Sequence, residues 1–138
     1  MTSASNARQA VADILVGLEE RWNAGDWQGF ADHYHPDGNL TDVLGRFHRG
    51  RAAIARQQEV VFGSVYRNSR IALELVDLHE IGPGVVLAHT RSTNQVPAGP
   101  LAGERPATQT FVVTNETGPW LIRALHNTFV RDLPGAPA

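Results

Sequence analysis

The stretch 120–130, near the end of the chain, constrains the fold more than any other part of the sequence. It is rich in β-branched and aromatic residues, contains neither Gly nor Pro, and follows the turn-forming run 115–119, whose sequence is NETGP. This pattern predicts a long strand. Because no residue in it interrupts pairing, other strands can pair with it on both edges.

The side chains of this strand must alternate between its two faces. His126 and Asn127 therefore point in opposite directions, and at most one of them can face a given cavity. We expect Leu125, Asn127 and Phe129 to face a pocket, while His126 and Thr128 face away. A slip of one residue would exchange Asn127 for His126 in the pocket.

The length and composition limit the kinds of protein that this chain can be. Its 138 residues predict a single domain over 1–138, with flexible tails at 1–5 and 132–138. The absence of Cys excludes disulfides, thiol nucleophiles and thiolate metal sites. All twelve basic residues are Arg, so Schiff-base chemistry and a lysine general base are excluded too.

The charge pattern and the motifs that are missing limit the partners. With a net charge of -2 and Arg residues scattered singly, we expect no nucleic-acid partner. No apolar run approaches the roughly 20 residues that cross a bilayer, and the first residues do not resemble a signal peptide. We therefore expect no membrane partner and a cytoplasmic location. No phosphate-binding loop follows a predicted strand and the six His residues lack metal-ligand spacing, so neither a cofactor nor a metal is expected.

Helices are predicted in the first half of the chain. In 4–24, apolar residues recur at intervals of three and four, which indicates an amphipathic helix with one buried face. Asp26 is expected to cap a second, shorter helix that includes Tyr34 and is ended by the run 35–38. A third helix is predicted over 50–62.

The remainder of the chain is rich in strands. Within 69–81 the apolar alternation changes phase after Leu75, which predicts a β-bulge and a strongly curved sheet. The run 96–106 is expected to be an irregular connection. The strands are predicted at 39–44 and 46–49, as a small hairpin, and at 69–81, 85–96, 108–114 and 120–130. This order predicts an α+β domain in which three N-terminal helices cover a curved, mostly antiparallel sheet.

The order of elements resembles the cone-shaped nuclear transport factor 2-like superfamily, which includes ketosteroid isomerase, scytalone dehydratase and SnoaL-type polyketide cyclases. More narrowly, the sequence resembles the SgcJ/EcaC family, over about residues 10–130. The motifs that carry this resemblance are Gly25-Asp26, VLG at 43–45, RGRAAI at 49–54, VYRNSR at 65–70, VVLAH at 85–89, GPW at 118–120 and HNT at 126–128.

The resemblance implies a cavity for a small ligand between the concave sheet and the helices. Asp42, three residues before Gly45, is placed like the carboxylate general base of ketosteroid isomerase. A carboxylate partly desolvated in an apolar cavity would have a raised pKa and could move a proton next to a carbonyl. Leu18 and Gln109 stand where the isomerase has its oxyanion tyrosine and its protonated acid, so that part of the apparatus is not matched.

Further cavity residues are expected on the strands and helices. Gln109 and Asn127 lie on neighbouring strands, where their amides can hydrogen-bond a ligand or each other. His89 is a candidate acid or donor if it faces the pocket, although a surface or core position also fits it. The expected apolar lining consists of Trp22, Tyr34, Phe62, Phe111, Leu125 and Phe129.

Three kinds of function fit these expectations. The first is a cofactor-free isomerase, cyclase or dehydratase that acts on an apolar carbonyl compound, with Asp42 as the base. The second is a non-catalytic binding or carrier module, and the third is an assembly domain with a filled cavity. The SgcJ/EcaC resemblance implies a polyketide or enediyne intermediate as ligand and polyketide synthase machinery as a partner. A homodimer is expected through the outer sheet face, which carries Ala124, His126, Thr128 and Val130.

Overall fold

The computed structural model describes residues 3–135 and consists of helices on one side of a single sheet. Within these residues, three helices lie in the first half of the chain and cover the concave face. The elements in chain order are α1 (Ser3–Asn23), α2 (Trp27–Ala31), β1 (Tyr34–Thr41), β2 (Phe47–Arg49), α3 (Arg51–Phe62), β3 (Arg70–Gly82), β4 (Val85–Val96), β5 (Gly103–Thr114) and β6 (Leu121–Phe129). The predicted α+β class is confirmed.

The last strand, β6, lies inside the sheet. The strand order is β2-β1-β6-β5-β4-β3. β6 pairs in parallel with β1 and antiparallel with β5, which confirms that both of its edges are used. The other neighbouring pairs are antiparallel. β6 therefore joins the β1–β2 hairpin to the β3–β5 meander.

A bulge in β3 curves the sheet where the change of phase predicted it. The register with β4 skips one residue between Leu75 and Asp77. The extra residue, Val76, is 54% exposed, whereas Leu78 packs against the core again. Because a bulge adds a local bend and twist, the sheet becomes concave towards the helices.

The buried face of α1 closes the concave side of the sheet. The periodic apolar residues that predicted this helix are buried, namely Ala7, Val11, Ile14, Leu15, Leu18 and Trp22. Asp26 caps α2, since its Oδ1 accepts a hydrogen bond from the backbone N–H of Gly29 at 2.9 Å. These contacts fix the helices over the strands that carry the candidate site residues.

The second helix is shorter than predicted, and Tyr34 belongs to β1. The helix ends at Ala31, and residues 34–38, expected to continue and end it, belong to β1, in which Tyr34 pairs with Ile122 of β6. Pro36 lacks the N–H that a helix interior needs. A bulge between Tyr34 and Asn39 places the extra residues of β1 outside the regular ladder. Strand β5 likewise begins at Gly103, within the run expected to be irregular.

The ends of the chain complete this description. Of the predicted flexible tails, residues 1–2 and 136–138 lie outside the described residues, and 3–5 belong to α1. Within 3–135, none of the helices is both long enough and apolar enough to cross a membrane.

Candidate functional site

A cavity lies between the concave face of the sheet and the helices α1 and α3. It offers about 80 Å³ to the centres of water-sized molecules. One water needs roughly 10–15 Å³ of such space. The cavity thus has room for several waters or one compact organic molecule. Eight of the predicted site residues line it: Trp22, Tyr34, Asp42, Gln109, Phe111, Leu125, Asn127 and Phe129.

Two predicted lining residues lie elsewhere. His89 faces the outer side of the sheet, where its Nδ1 is 3.1 Å from the hydroxyl of Thr110, because Ala88 and Thr90 take the inward positions of β4. Phe62 follows Val61 on α3, and Val61 faces the cavity. Because consecutive residues of a helix point in different directions, Phe62 does not face the cavity. Its ring packs edge-on against Trp22 at 4.7 Å in a separate surface groove. Both placements correct the sequence-based expectation.

A row of polar side chains crosses the wall formed by β4, β5 and β6. The strand register aligns Thr90 with Gln109 and Gln109 with Asn127. The Thr90 hydroxyl donates to Gln109 Oε1 at 2.7 Å. Gln109 Nε2 donates to Asn127 Oδ1 and to the Ser92 hydroxyl, both at 2.9 Å. We call Thr90, Ser92, Gln109 and Asn127 the amide wall.

The hydrogen bonds of the amide wall give its two amides different roles. Both the carbonyl oxygen and the amide nitrogen of Gln109 are engaged within the wall, so Gln109 acts as a positioning residue. Asn127 uses its Oδ1 to accept from Gln109, which leaves its Nδ2 as the donor for a ligand. Of the two amides, Asn127 is therefore the one suited to hold a carbonyl oxygen.

Three polar residues of β4 that line the cavity were missed by the sequence interpretation. Thr90, Ser92 and Asn94 face inward and are buried at alternate positions of β4. The outward positions of the same strand are also mostly polar, so this segment shows no contrast between its faces. Counting the alternation forward from the apolar Val86 would have identified the inward set.

Asp42 lies at the edge of the cavity, in the turn between β1 and β2. Its Oδ1 accepts hydrogen bonds from the backbone N–H groups of Leu44 and Arg46 at 2.9 and 3.0 Å. Its Oδ2 is 2.9 Å from Nε2 of His48. Both side chains are largely buried, with 13% of Asp42 and 20% of His48 exposed. The carboxylate is thus held by three donors.

These contacts reverse the direction of the pKa shift expected for Asp42. Burial alone would raise the pKa, but the hydrogen bonds from His48, Arg46 and Leu44, together with the charge of His48, hold the pKa of Asp42 below its ordinary value. A carboxylate with a lowered pKa is a weak base. This arrangement suits Asp42 to orient His48 more than to accept a proton by itself.

The lowered pKa makes the stability of the protein depend on pH in a defined window. The folded state binds the Asp42 proton less tightly than the unfolded state, so this contribution is present above the ordinary pKa of 3.8 and is lost as pH falls through the lowered folded value. We expect Asp42→Asn to flatten this part of the acid dependence, measured by urea unfolding from about pH 6 to about pH 2. The exposed Asp132→Asn controls for the loss of one charge. An acid slope unchanged in Asp42→Asn would contradict the assignment.

Tyrosine hydroxyls and one arginine complete the polar surroundings. Burial raises the pKa of Tyr34, which stays a neutral donor. Burial also raises the pKa of Tyr66, the negative charge of Asp42 adds to the shift, and the positive charge of Arg105 opposes it. The guanidinium of Arg105 is fixed by the carbonyl oxygens of Leu101 and Ala102, both at 2.8 Å. Among the described residues that line the cavity, only Asp42 and Arg105 are therefore charged.

Solved structures share this architecture at low sequence identity. A domain of unknown function with a cystatin-like fold from Nostoc punctiforme PCC 73102 is 22% identical with a TM-score of 0.84, and the alignment covers 97% of this chain and 82% of that one. An NTF-2-like protein of unknown function from Shewanella oneidensis MR-1 is 16% identical, with a TM-score of 0.76 and coverages of 88% and 98%. A ketosteroid isomerase-like protein from Erwinia carotovora atroseptica SCRI1043 is 14% identical, with a TM-score of 0.75 and coverages of 90% and 96%. These similarities establish the fold.

The comparison with protein families is more specific. No curated protein matches the sequence. A family model described as SnoaL-like domain matches residues 17–120, a segment that contains the cavity-facing side of α3, the Asp42 turn and most of the amide wall. Because this match spans well over half of the chain, the protein belongs to the SnoaL-like domain family.

Proposed function

We propose that this protein binds a compact, largely apolar molecule that carries a carbonyl group. The observation that carries the proposal is the amide wall, in which Gln109 orients Asn127 inside a cavity lined mainly by apolar side chains. Ligand sites commonly combine an apolar lining with a few placed polar groups. A carbonyl oxygen that accepts a hydrogen bond from Asn127 Nδ2 matches this arrangement.

The volume of the cavity limits the size of the ligand that it can hold. A cavity of about 80 Å³, counted as the space open to the centres of water-sized molecules, limits the ligand to a compact molecule. Within this class, the resemblance to the SgcJ/EcaC family supports a polyketide or enediyne intermediate of natural-product biosynthesis as the ligand.

Delivery from polyketide synthase machinery and pairing of two copies through the outer face of β6 belong to the same proposal. Light scattering tests the pairing, which a monomeric mass would contradict.

Asn127 is expected to discriminate a ketone from the matched hydrocarbon. In Asn127→Asp, the side chain still accepts from Gln109 but no longer presents an amide donor. We expect its affinity for 1-tetralone to fall about 10-fold to 100-fold, the range of one buried hydrogen bond. Binding of tetralin, which has no carbonyl, should change little. Titration of the intrinsic fluorescence is suitable because Trp22 lines the cavity.

Two results would contradict the binding proposal. Equal affinity of the wild-type protein for 1-tetralone and tetralin would mean that Asn127 does not recognise a carbonyl. Absence of binding for compact cyclic ketones in general would favour the assembly reading, in which the cavity serves no ligand.

A second candidate function is cofactor-free proton transfer next to the bound carbonyl. It is favoured by Asp42, which lines the cavity and whose carboxylate Oδ2 lies 2.9 Å from Nε2 of His48. An oriented imidazole can take a proton from carbon and return it. The wild-type protein would then exchange α-protons of 1-tetralone with deuterated water, a reaction that NMR follows. Loss of exchange with retained binding in Asp42→Asn supports an enzyme, and absence of exchange in the wild type supports a binding module.

A further inference from the structure

A separate groove lies beside the cavity, where β5 begins and β6 ends. It offers about 90 Å³ to the centres of water-sized molecules. Arg105 and Phe129 line both the groove and the cavity, whereas Arg131 lines the groove but not the cavity. We call it the arginine groove, and its described lining consists of Leu101, Arg105, Pro106, Phe129, Val130 and Arg131.

The pairing of β5 with β6 sets the two arginines of this groove opposite each other. Beyond the last pair of the ladder, the backbone N–H of Val130 donates to the carbonyl oxygen of Pro106 at 3.0 Å. One residue further along each chain, Arg105 is across from Arg131. Like charges at directly opposite positions destabilise a sheet. An anion bound between the two guanidinium groups would relieve this repulsion.

No carboxylate of the described chain relieves it. Within residues 3–135, neither Arg105 nor Arg131 forms an ion pair. Arg123, also near the end of the chain, shows the alternative, because it pairs with both Asp37 and Glu116. The groove therefore holds two positive charges and no acidic side chain among the residues that line it.

Both guanidinium groups are positioned by the protein and keep N–H groups for a ligand. Nε and Nη2 of Arg105 donate to the carbonyl oxygens of Leu101 and Ala102, both at 2.8 Å, which leaves Nη1 to donate elsewhere. The guanidinium carbon of Arg131 lies 5.6 Å from the centre of the Phe129 ring. Because the planar guanidinium is already oriented, little conformational freedom is lost when it binds an oxyanion.

The lining of the arginine groove defines the chemical class of ligand that it can hold. Guanidinium groups match the geometry of carboxylate and phosphate oxygens. The other described lining residues are apolar, namely Leu101, Pro106, Phe129 and Val130. A small inorganic ion would not cover these apolar surfaces. An oxyanion attached to a compact apolar body would meet both parts of the lining.

We propose that the arginine groove is a binding site for an organic anion, a carboxylate or a phosphate monoester carried on an apolar body. The oxyanion lies between Arg105 and Arg131, and the apolar body packs against Phe129 and Leu101. This site goes beyond the proposed function and does not rest on it, since the groove can be filled whether or not the cavity holds a ligand.

The test titrates benzoate, phenyl phosphate and the neutral benzamide into the ¹⁵N-labelled protein and follows amide chemical shifts by NMR. At low salt we expect at least one of the two anions to bind about ten-fold more tightly than benzamide, the effect of one hydrogen bond to a charged group. The anion that binds more tightly identifies the oxyanion. The largest shifts should fall within 101–106 and 129–131, and added salt should weaken binding.

Arg131→Gln is the decisive variant, because Arg131 is exposed and does not line the cavity. It should weaken binding of the preferred anion about five-fold to ten-fold and leave benzamide unchanged. Arg105→Gln should have a similar effect. Arg8→Gln removes the same charge from an exposed position of α1, so its affinity for the anion should stay within about two-fold of the wild type.

Four results would overturn the inference. The first is equal binding of benzamide and both anions, and the second is no binding of either anion. The third is a loss in Arg105→Gln without a loss in Arg131→Gln, which would place the anion in the cavity. The fourth is an equal loss in Arg8→Gln, which would mean attraction by overall charge. None of them bears on the proposed function, which is tested with neutral ketones.

Discussion

Replacing Gln109 with leucine is expected to lower the free energy of unfolding by about 3 kcal/mol. Gln109 is 7% exposed and makes three hydrogen bonds, to Thr90, Ser92 and Asn127. Leucine fills a similar volume but leaves the buried hydroxyls of Thr90 and Ser92 and the partly buried Oδ1 of Asn127 without their shared partner, and each such loss costs roughly 1 kcal/mol or more. Thermal unfolding should show a fall in Tm of about 10 °C.

The matched control is the same kind of replacement at Asn94, a residue of β4 that also lines the cavity. Because Asn94 Oδ1 has no partner among the described residues, Asn94→Leu should raise the free energy of unfolding by about 1 kcal/mol. The two substitutions both exchange an amide for leucine. Opposite changes in the free energy of unfolding would therefore isolate the contribution of the hydrogen-bond network. Equal losses in the two variants would show that packing, rather than the network, determines stability in this wall.

Gly38→Ala is expected to destabilise the protein by about 2–3 kcal/mol. Gly38 lies in the bulge of β1, and a Cβ atom there would be 2.8 Å from the carbonyl oxygen of Ile122 in β6. Backbone atoms of His35 would be 3.2 Å away. Since these neighbours are backbone atoms in a paired strand, none of them can rotate aside. The loss should appear in urea unfolding as a lower midpoint with an unchanged slope.

Gly82→Ala provides the control for this substitution. Gly82 ends β3, and a Cβ atom at that position would meet nothing within 4 Å. Neither glycine has a positive φ angle, so at neither site does a left-handed backbone require glycine, and the two sites can be compared for the space around the Cβ position. We expect Gly82→Ala to stay within about 0.5 kcal/mol of the wild type. A similar loss at both sites would mean that the close approach of β1 and β6 is not what requires a glycine.

Most of the fold follows from hydrophobic periodicity in the sequence. The α1 pattern, the phase change after Leu75 and the uninterrupted strand near the C-terminal end each predicted an element that the structure contains. The second helix was predicted too long because Tyr34 continues the apolar spacing of a helix. In the structure Tyr34 is buried as a residue of β1, because the pairing of this strand with β6 overrides the local preference for a helix. The spacing of apolar residues alone does not show whether such a side chain is buried in a helix or in a strand.

The candidate site was predictable only where the strand pattern gave a clear direction. Asn127 and Gln109 were assigned to one face, and the structure brings them together at 2.9 Å. The direction of His89 was left open, because β4 is polar on both faces in that region and the pattern does not show which face is buried. The pKa of Asp42 depends on donors from the turn that follows it and on His48 in β2, and no sequence pattern specifies those contacts.

The central position of β6 also determines how the chain must assemble. Its parallel pairing with β1 joins Tyr34 to Ile122, two residues that are far apart in the sequence. Contacts of such long range are costly in chain entropy and slow the folding of a domain. Before β6 is in place, the hairpin and the meander have no strand between them, and their open edges are exposed to aggregation. We therefore expect substitutions that weaken β6 to reduce the yield of folded protein in cells before they alter affinity for any ligand.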